Sequence, residues 1–394
     1  MRSVDRDQYS GGSGDLVPQR PVQARKGADL LWTYGAHRVA GWRKGIPANV
    51  VTCYRPRTCP QLEMYQSTVS MSKVTVIGAT GNVGMFAAHA ISEIPYVNEV
   101  LLHGREGRED LLEGIAQDLM DSFAACGNYT RIGWTTDLED VRGSAIVVFT
   151  AGVARTPGQD RLDLALKNAR IVSELCREIG MVAPETKIFM VTNPVDVMTS
   201  VALKYSGLPP QQVFGLGTHL DSMRLKALIA GYFKVHPSEV HTRIIGEHGD
   251  SMVPLWSATT IGGIQISNLP AFSNLPVNEM VESVKGSGEN IIRNKGSTVY
   301  GPGEAIATLV KTILGDENRI LTVSAYIRQE IHDIGDVCIS VPARVNKSGV
   351  FPVTIKIDAS EVVRFRGSVE KIRTITKKVL ATLEEEKSGK KSHD

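Results

Sequence analysis

Residues 73–91 read KVTVIGATGNVGMFAAHAI. The β-branched run up to Ile77 predicts a short strand, and the alanine-rich run from Met85 to Ile91 predicts a helix. Glycine between them permits a tight turn and close backbone approach, while free N–H groups at a helix start can bind phosphate. A glycine pattern alone is weak evidence, but strand, turn and helix in this order indicate the first part of a dinucleotide-binding unit. The expected cofactor contacts are Gly78, Ala79, Thr80, Gly81, Asn82, Val83 and Gly84.

The next predicted strand, residues 99–105, ends about 20 positions after the turn, where an Asp or Glu usually binds the adenine ribose hydroxyls. This chain has Gly104 and Arg105 there. The absence of that carboxylate removes its repulsion against a 2′-phosphate, and a guanidinium can pair with the phosphate. We therefore expect NADP to be accepted and preferred, with NAD as the other option. The alternative is that Arg105 is a solvated loop charge and that Glu106 binds the ribose.

Composition places the chain among globular proteins that act on small molecules. The 394 residues are 42% hydrophobic, enough for a large core in two or three structural units. A formal net charge of +2 is too small to favour nucleic acid or a membrane surface as partner. The five cysteines are scattered without metal-ligand spacing, which favours a reducing, cytoplasmic location and no structural metal.

Residues 1–70 differ in composition from the rest. They contain Gly-Gly-Ser-Gly at 11–14 and ten Lys/Arg against five Asp/Glu, without helical or strand periodicity. We expect a disordered N-terminal extension. A basic targeting peptide is the alternative, but its acidic residues argue against a transit sequence. Met71, just before the first strand, is a candidate working start.

Two further apolar strands are expected to end at loops that carry polar side chains. Residues 145–152 suit a strand buried on both faces of a parallel sheet, and the following loop carries Arg155 and Arg161 around Pro-Gly. Such arginines are most often surface charges, but at this sheet edge they can close over an anion. A helix over 164–179 contains Asn168.

Residues 187–196 contain a buried, apolar strand. It is expected to end at Asn193-Pro194, because proline cannot continue a β-ladder. Asn193 would then lie at the sheet edge, in reach of nicotinamide and substrate. The alternative is an Asn-Pro turn that only begins the next helix.

One histidine in the second half is a candidate acid–base group. His248 lies between two glycines after an apolar run, and an imidazole exchanges protons near neutral pH. Taken alone, it is more often a loop histidine in a turn. Asp221 and Arg224, three positions apart, would share a helix face and supply an orienting acid and an anion-binding group.

The predicted fold class is α/β, with a Rossmann doubly wound parallel sheet followed by an α+β catalytic domain. We place the extension at 1–70, the dinucleotide-binding domain at 71–212, the substrate domain at 213–382 and a charged tail at 383–394. In the second half we expect helices over 220–233, 278–295 and 305–314. Strands are expected over 243–245, 262–266, 320–327, 337–345 and 353–357, followed by a C-terminal helix.

Five motifs occur together in one order: GATGNVG at 78–84, TAGVARTPGQDR at 150–161, VTNPVD at 191–196, GLGTHLDSMR at 215–224 and IIGEHGDSMVP at 244–254. With this set, residues 73–380 resemble the lactate/malate dehydrogenase superfamily and are closest to archaeal malate dehydrogenases. The resemblance implies reversible hydride transfer from malate to a nicotinamide cofactor, which gives oxaloacetate. It also implies a homodimer or homotetramer.

The resemblance also implies roles for individual residues. His248 would accept the proton of malate, and Asp221 would fix its tautomer. Arg224 would bind the C1 carboxylate, Arg161 would polarise the carbonyl, and Arg155 would pair with the second carboxylate. Asn193 would contact substrate, Thr298 would lie near the pocket, and the remaining cofactor contacts would be Asn168, Val191, Thr192 and the Asn193 backbone.

Three alternatives remain open. A lactate or broader 2-hydroxyacid dehydrogenase is disfavoured by Arg155. A short-chain reductase needs a Tyr-x-x-x-Lys pair, and no tyrosine here precedes a lysine by four. A nonenzymatic NADP-binding redox sensor would not need Asp221, Arg224, Arg161 and His248 together.

Overall fold

The computed structural model describes residues 72–153 and 161–390, with only the backbone at 161, 389 and 390. The expectations for residues 1–71 and for the tail beyond 390 lie outside these ranges. The strands of the described residues are β1 Ser72–Ile77, β2 Val97–His103, β3 Arg131–Thr135, β4 Ser144–Phe149, β5 Lys187–Met190, β6 Val213–Gly215, β7 Val240–His241, β8 Ile244–Ile245, β9 Val253–Pro254, β10 Thr260–Ile261, β11 Ile264–Gln265, β12 Arg319–Ile327, β13 Val337–Asn346 and β14 Gly349–Pro352. The helices are α1 Asn82–Ser92, α2 Glu109–Cys126, α3 Arg161–Val182, α4 Val195–Ser206, α5 His219–Phe233, α6 Val277–Lys295, α7 Tyr300–Leu314 and α8 Ala359–Lys390.

The main sheet of the described residues has nine strands in the order β14-β13-β12-β6-β5-β4-β1-β2-β3. Strands β1 to β6 are parallel, and the order 3-2-1-4-5-6 is that of a doubly wound dinucleotide-binding sheet. This confirms the predicted fold class. The strand order reverses between β1 and β4, so the crevice at their carboxyl ends is where such folds bind ligands.

Burial of both sheet faces explains the continuous apolar strands. In β4, Val147 and Phe149 pack in the core that includes α3 and α4, whereas Ile146 and Val148 pack in the core with α1, α2 and α7. Alternate side chains therefore enter opposite layers, and most of them are apolar. A third, smaller core joins α5 and α6 to the short strands β7, β8 and β10.

The second half joins the same sheet. Strands β12, β13 and β14 form an antiparallel extension next to β6, with Ser324 opposite Gly215. The strands expected over 320–327 and 337–345 are present as β12 and β13. Among the described residues no helix has the length and apolarity needed to cross a membrane.

Three element boundaries differ from expectation. The strand expected over 262–266 is a hairpin, because Gly262 and Gly263 both have positive φ and form the turn between β10 and β11. The final strand lies at 349–352 instead of 353–357, because Gly349 pairs with Asn346 across a tight turn. Helix α7 begins at Tyr300 instead of 305, since a proline in the first helical turn breaks no helical hydrogen bond.

Candidate active site

The glycine turn after β1 has the geometry of a phosphate cradle. Gly78 has φ of 83°, and a β-carbon there would lie 2.6 Å from the backbone nitrogen of Ala151. A β-carbon on Gly84 would lie 2.5 Å from the carbonyl oxygen of Gly78. Helix α1 begins with no side-chain cap, so its first N–H groups keep their hydrogen-bonding capacity for an anion. The turn therefore fits the pyrophosphate of a dinucleotide.

The end of β2 brings Gly104 and Arg105 to the edge of this crevice. Gly104 is buried against Leu112 of α2, whereas Arg105 and Glu106 are exposed. A pocket of about 350 Å³ lies beyond the ends of β2 and β3, and it is lined by Glu106, Thr136, Asp137, Leu138, Glu139, Glu178 and Val182. The four carboxylates in this lining would repel a phosphate bound nearby, whereas the Arg105 guanidinium would attract it.

Asn168 links the loops that follow β4 and β5. Its side-chain oxygen accepts the backbone N–H of Val153 at 2.7 Å, and its amide nitrogen donates to the carbonyl oxygen of Asn193 at 2.7 Å. The side chain is buried, whereas Asn193 is exposed. Asn168 thus fixes the spacing of the two loops, and the exposed amide of Asn193 faces solvent at the sheet edge.

His248 lies in the loop between the paired strands β8 and β9. Its Nδ1 atom is 2.5 Å from Oδ2 of Asp221, which belongs to the first turn of α5. The His248 side chain is 29% exposed and that of Asp221 only 2%. The carboxylate therefore lies behind the ring, and the Nε2 edge is left for substrate.

Asp221 also binds Arg224. An Arg224 guanidinium nitrogen donates to Oδ1 of Asp221 at 3.2 Å, as their i,i+3 spacing predicts. One carboxylate therefore orients both the imidazole and the guanidinium. The planar guanidinium has further N–H donors with which to bind a second carboxylate bidentately.

The charges of the site raise the proton affinity of the imidazole. The neighbouring Asp221 carboxylate raises the pKa of His248 to about 9, against the opposing effect of burial. Burial alone would raise the pKa of Asp221, but His248 and Arg224 together lower it below its ordinary value. The pair is therefore an imidazolium and a carboxylate at neutral pH, which can donate a proton from Nε2.

A family model for the lactate/malate dehydrogenase NAD binding domain matches residues 72–215, and one for the lactate/malate dehydrogenase alpha/beta C-terminal domain matches 218–383. The chain belongs to the lactate/malate dehydrogenase family. It is an NAD(P)-dependent oxidoreductase.

Individual relatives agree with this assignment. The malate dehydrogenase of Methanothermobacter marburgensis is 47% identical over 323 residues, covering 80% of this chain and 99% of the relative. The L-2-hydroxycarboxylate dehydrogenase (NAD(P)(+)) of Methanocaldococcus jannaschii is 46% identical over 310 residues, covering 78% and 99%. Among solved structures, the malate dehydrogenase of Plasmodium falciparum has a TM-score of 0.75 at 27% identity, with 79% of this chain and 99% of that one covered.

The sequence also singled out two arginines of this dehydrogenase in the loop after β4. Arg155 and the side chain of Arg161 lie outside the described residues, although α3 begins at position 161. Thr298 is partly buried just before α7, and its neighbour Ser297 accepts a hydrogen bond from the Asn82 amide at 3.0 Å. The loop carrying Thr298 thus touches the glycine turn.

The sequence analysis missed the groups that hold the His248 loop from behind. The backbone N–H of His248 donates to Oδ2 of Asp196 at 2.9 Å. The backbone N–H of Glu247 donates to Ser368 of α8 at 2.7 Å, and the Glu247 carboxylate pairs with Lys371 at 2.7 Å. Asp196 had one local signal, an acidic residue in an otherwise apolar helix start, but its contact with His248 spans 52 positions.

Proposed function

We propose that this chain is a malate dehydrogenase that interconverts (S)-malate and oxaloacetate with NAD(P). The observation that carries the proposal is the single buried carboxylate of Asp221, which orients both His248 and Arg224. A dehydrogenase of a 2-hydroxy acid needs a proton-transfer group and a carboxylate-binding group at a fixed spacing. A nonenzymatic redox sensor has no use for that arrangement.

The residues divide the chemistry between them. A nicotinamide cofactor held by the glycine turn would supply or accept the hydride. In the reductive direction, Nε2 of the His248 imidazolium donates a proton to the carbonyl oxygen as it becomes a hydroxyl. Asp221 remains ionised and holds the Nδ1 proton, which stabilises the imidazolium and fixes its tautomer. Arg224 binds the C1 carboxylate and so sets the carbonyl beside Nε2.

The choice of malate rests on Arg155 and on relatives named malate dehydrogenase. A second arginine in the loop after β4 would pair with the second carboxylate of oxaloacetate, and Arg161 would polarise the reacting carbonyl once that loop closes. The second candidate is a broader 2-hydroxycarboxylate or lactate dehydrogenase. It is favoured by the name of the Methanocaldococcus jannaschii relative and by a 39% identical L-lactate dehydrogenase of Synechococcus.

For the cofactor, we propose that NADP is accepted and preferred. Gly104 and Arg105 replace the usual ribose carboxylate, which favours a 2′-phosphate. The exposed Glu106 and the other carboxylates of the adjoining pocket act against it, so NAD is expected to remain a cofactor. The Methanocaldococcus jannaschii relative is named for both cofactors.

A matrix of oxaloacetate and pyruvate against NADH and NADPH tests both proposals. Absorbance at 340 nm should fall fastest with oxaloacetate, with NADPH ahead of NADH. Cofactor binding without turnover of either acid would favour the redox sensor. Equal kcat/KM for the two acids would favour the broader 2-hydroxycarboxylate dehydrogenase.

A further inference from the structure

We propose that Asp196 is a positioning residue for His248: its buried carboxylate holds the backbone of the His248 loop and supplies a second negative charge behind the imidazole. The inference deepens the proposed function and rests on it, because it assigns a role in the same proton transfer. Asp196 itself touches neither substrate nor cofactor in this scheme.

Asp196 is fixed by its place in the fold. It is the second residue of α4, in the first helical turn, and is 1% exposed. The positive end of the helix dipole favours a negative charge at that position. The residue directly before this helix is Pro194, which follows Asn193 at the sheet edge. The same turn therefore connects the end of β5 to the group that holds the His248 loop.

Both carboxylate oxygens of Asp196 point to elements that shape the loop. Oδ2 accepts the backbone N–H of His248 at 2.9 Å, and Oδ1 accepts the Ser340 hydroxyl of β13 at 3.4 Å. Ser340 in turn exchanges two backbone hydrogen bonds with Gly246, at 2.9 and 3.2 Å. The loop is thus fastened to the main sheet at Gly246 and to α4 at His248, and Asp196 with Ser340 joins the two points.

Within the described ranges no lysine or arginine forms a salt bridge with Asp196. Charged and titratable groups face Asp196 and the His248 imidazole from each element packed around the loop. They are Asp221 and Arg224 of α5, Lys371 of α8, Cys338 of β13, and Glu247 and Asp250 of the loop itself. Lys371 pairs with Glu247, and Arg224 with Asp221. The uncompensated charge of Asp196 therefore acts on the imidazolium.

The charge of Asp196 lowers the stability of the fold. Burial raises the pKa of Asp196 to about 6, above its ordinary value of 3.8. An acid whose pKa is raised by folding stabilises the fold below the unfolded pKa and loses that contribution as pH rises through the folded pKa. At neutral pH the ionised carboxylate thus destabilises the folded chain. An isosteric amide at this position should therefore fold at least as stably at neutral pH.

The test compares Asp196→Asn, Asp196→Ser and wild type, with Glu361→Gln as the matched control. Glu361 is also a buried carboxylate, but it binds Ser257 instead of the His248 loop. The readouts are kcat and KM for oxaloacetate reduction and malate oxidation across neutral to alkaline pH, cofactor binding by fluorescence, and melting temperature. His248→Asn serves as the reference for lost proton transfer.

In Asp196→Asn, the pH at which reduction declines should fall by about half a unit, and the pH at which oxidation rises should fall equally. The shift has this sign because removing a negative charge lowers the pKa of His248. Asp196→Ser should show the same shift and also lose kcat roughly ten- to hundredfold with unchanged cofactor binding, since the loop is no longer held. Glu361→Gln should show neither effect.

Two results would overturn the inference and leave Asp196 a packing role. One is that the pH midpoints of reduction and oxidation are unshifted in both variants. The other is that kcat falls equally for reduction and oxidation at every pH. The same holds if neither variant folds. If wild type turns over no hydroxy or keto acid, the proposed function fails separately. The inference is then decided by an NMR titration of the His248 imidazole in wild type and Asp196→Asn, where an unshifted midpoint counts against it.

Discussion

The imidazole of His248 and the carboxylate of Asp221 lie 2.5 Å apart, from Nδ1 to Oδ2, although 27 positions separate them in the chain. The pair joins the hairpin loop between β8 and β9 to the first turn of α5. Asp221 is buried and also bonds Arg224, so its carboxylate cannot rotate away from His248 without breaking a second contact. The pairing therefore gives the proton-transfer group one orientation.

The pairing predicts the pH dependence of the reaction. Reduction of oxaloacetate needs the His248 imidazolium, whose pKa is raised to about 9 by Asp221. The kcat/KM for reduction should be level through neutral pH and decline as pH rises through about 9, whereas malate oxidation should rise over the same interval. Initial rates with buffered cofactor check this. Midpoints near the ordinary histidine value of 6.5 in both directions would show that the pair does not form in solution.

The same shift predicts a pH-dependent stability. A histidine whose folded pKa exceeds its unfolded value stabilises the fold fully below the unfolded value and loses that contribution as pH rises through the folded one. The melting temperature of wild type relative to His248→Asn should therefore be highest below about pH 6.5, and this pH-dependent advantage should be lost as pH rises through about 9. A constant difference over that window would contradict the ion pair.

Removing the His248 imidazole should strongly lower turnover and leave cofactor binding intact. We expect His248→Asn to lower kcat by roughly 10²- to 10⁴-fold, the usual contribution of a positioned acid or base. The substitution changes no residue of the glycine turn at 78–84, so the dissociation constant for NADPH should stay close to the wild-type value. Steady-state rates and fluorescence titration give the two numbers. A variant that keeps wild-type turnover would remove His248 from the mechanism.

The parts of the fold that could be predicted are those with local signals. Gly78, Gly81 and Gly84 between strand and helix predicted the dinucleotide unit, and Asp221 with Arg224 predicted a shared helix face. Two kinds of feature had no local signal. The addition of β12 to the main sheet depends on one strand pairing with β6 across the chain, and the bond from His248 to Asp196 depends on packing of α4 against the loop.

Substrate choice is predicted to depend on Arg155, whose role rests on the sequence pattern. A desolvated guanidinium left unpaired beside a methyl group costs several kcal/mol, so the preference for oxaloacetate over pyruvate should reach about three or more decades in kcat/KM. Arg155→Gln should shift that ratio toward pyruvate while leaving kcat/KM for NADPH at saturating substrate little changed. An unchanged ratio would show that another residue discriminates the two acids.

Cofactor choice is predicted to depend on Arg105. Arg105→Ala should lower kcat/KM for NADPH by about ten- to a hundredfold, because a charge-assisted contact to phosphate is worth about 1.5–3 kcal/mol, and should leave NADH unaffected. Glu106→Gln is the companion variant. It should raise kcat/KM for NADPH by removing a carboxylate beside the site. If Arg105→Ala is inert and Glu106→Gln impairs NADH, Glu106 is the ribose-binding residue and NAD is preferred.

The pyrophosphate turn is predicted to reject any side chain at Gly84. Alanine there would place its β-carbon 2.5 Å from the Gly78 carbonyl oxygen and 2.9 Å from the Ala79 α-carbon, both backbone atoms that cannot swing aside. Such overpacking costs about 1–3 kcal/mol, so Gly84→Ala should melt several degrees lower than wild type. Since the turn must shift, the KM for NADH and NADPH should rise together, which distinguishes a pyrophosphate effect from a ribose effect.

Gly114 provides the matched control for this prediction. It is an exposed glycine within α2, and a β-carbon there meets nothing within 4 Å. Gly114→Ala should stabilise the chain by about 0.5–1 kcal/mol through helix propensity and leave both KM values unchanged. Thermal melts and cofactor titrations on the two variants separate contact from propensity. If Gly84→Ala has the same melting temperature change and unchanged KM values as Gly114→Ala, the turn has room for a β-carbon at position 84. The turn would then not cradle the pyrophosphate.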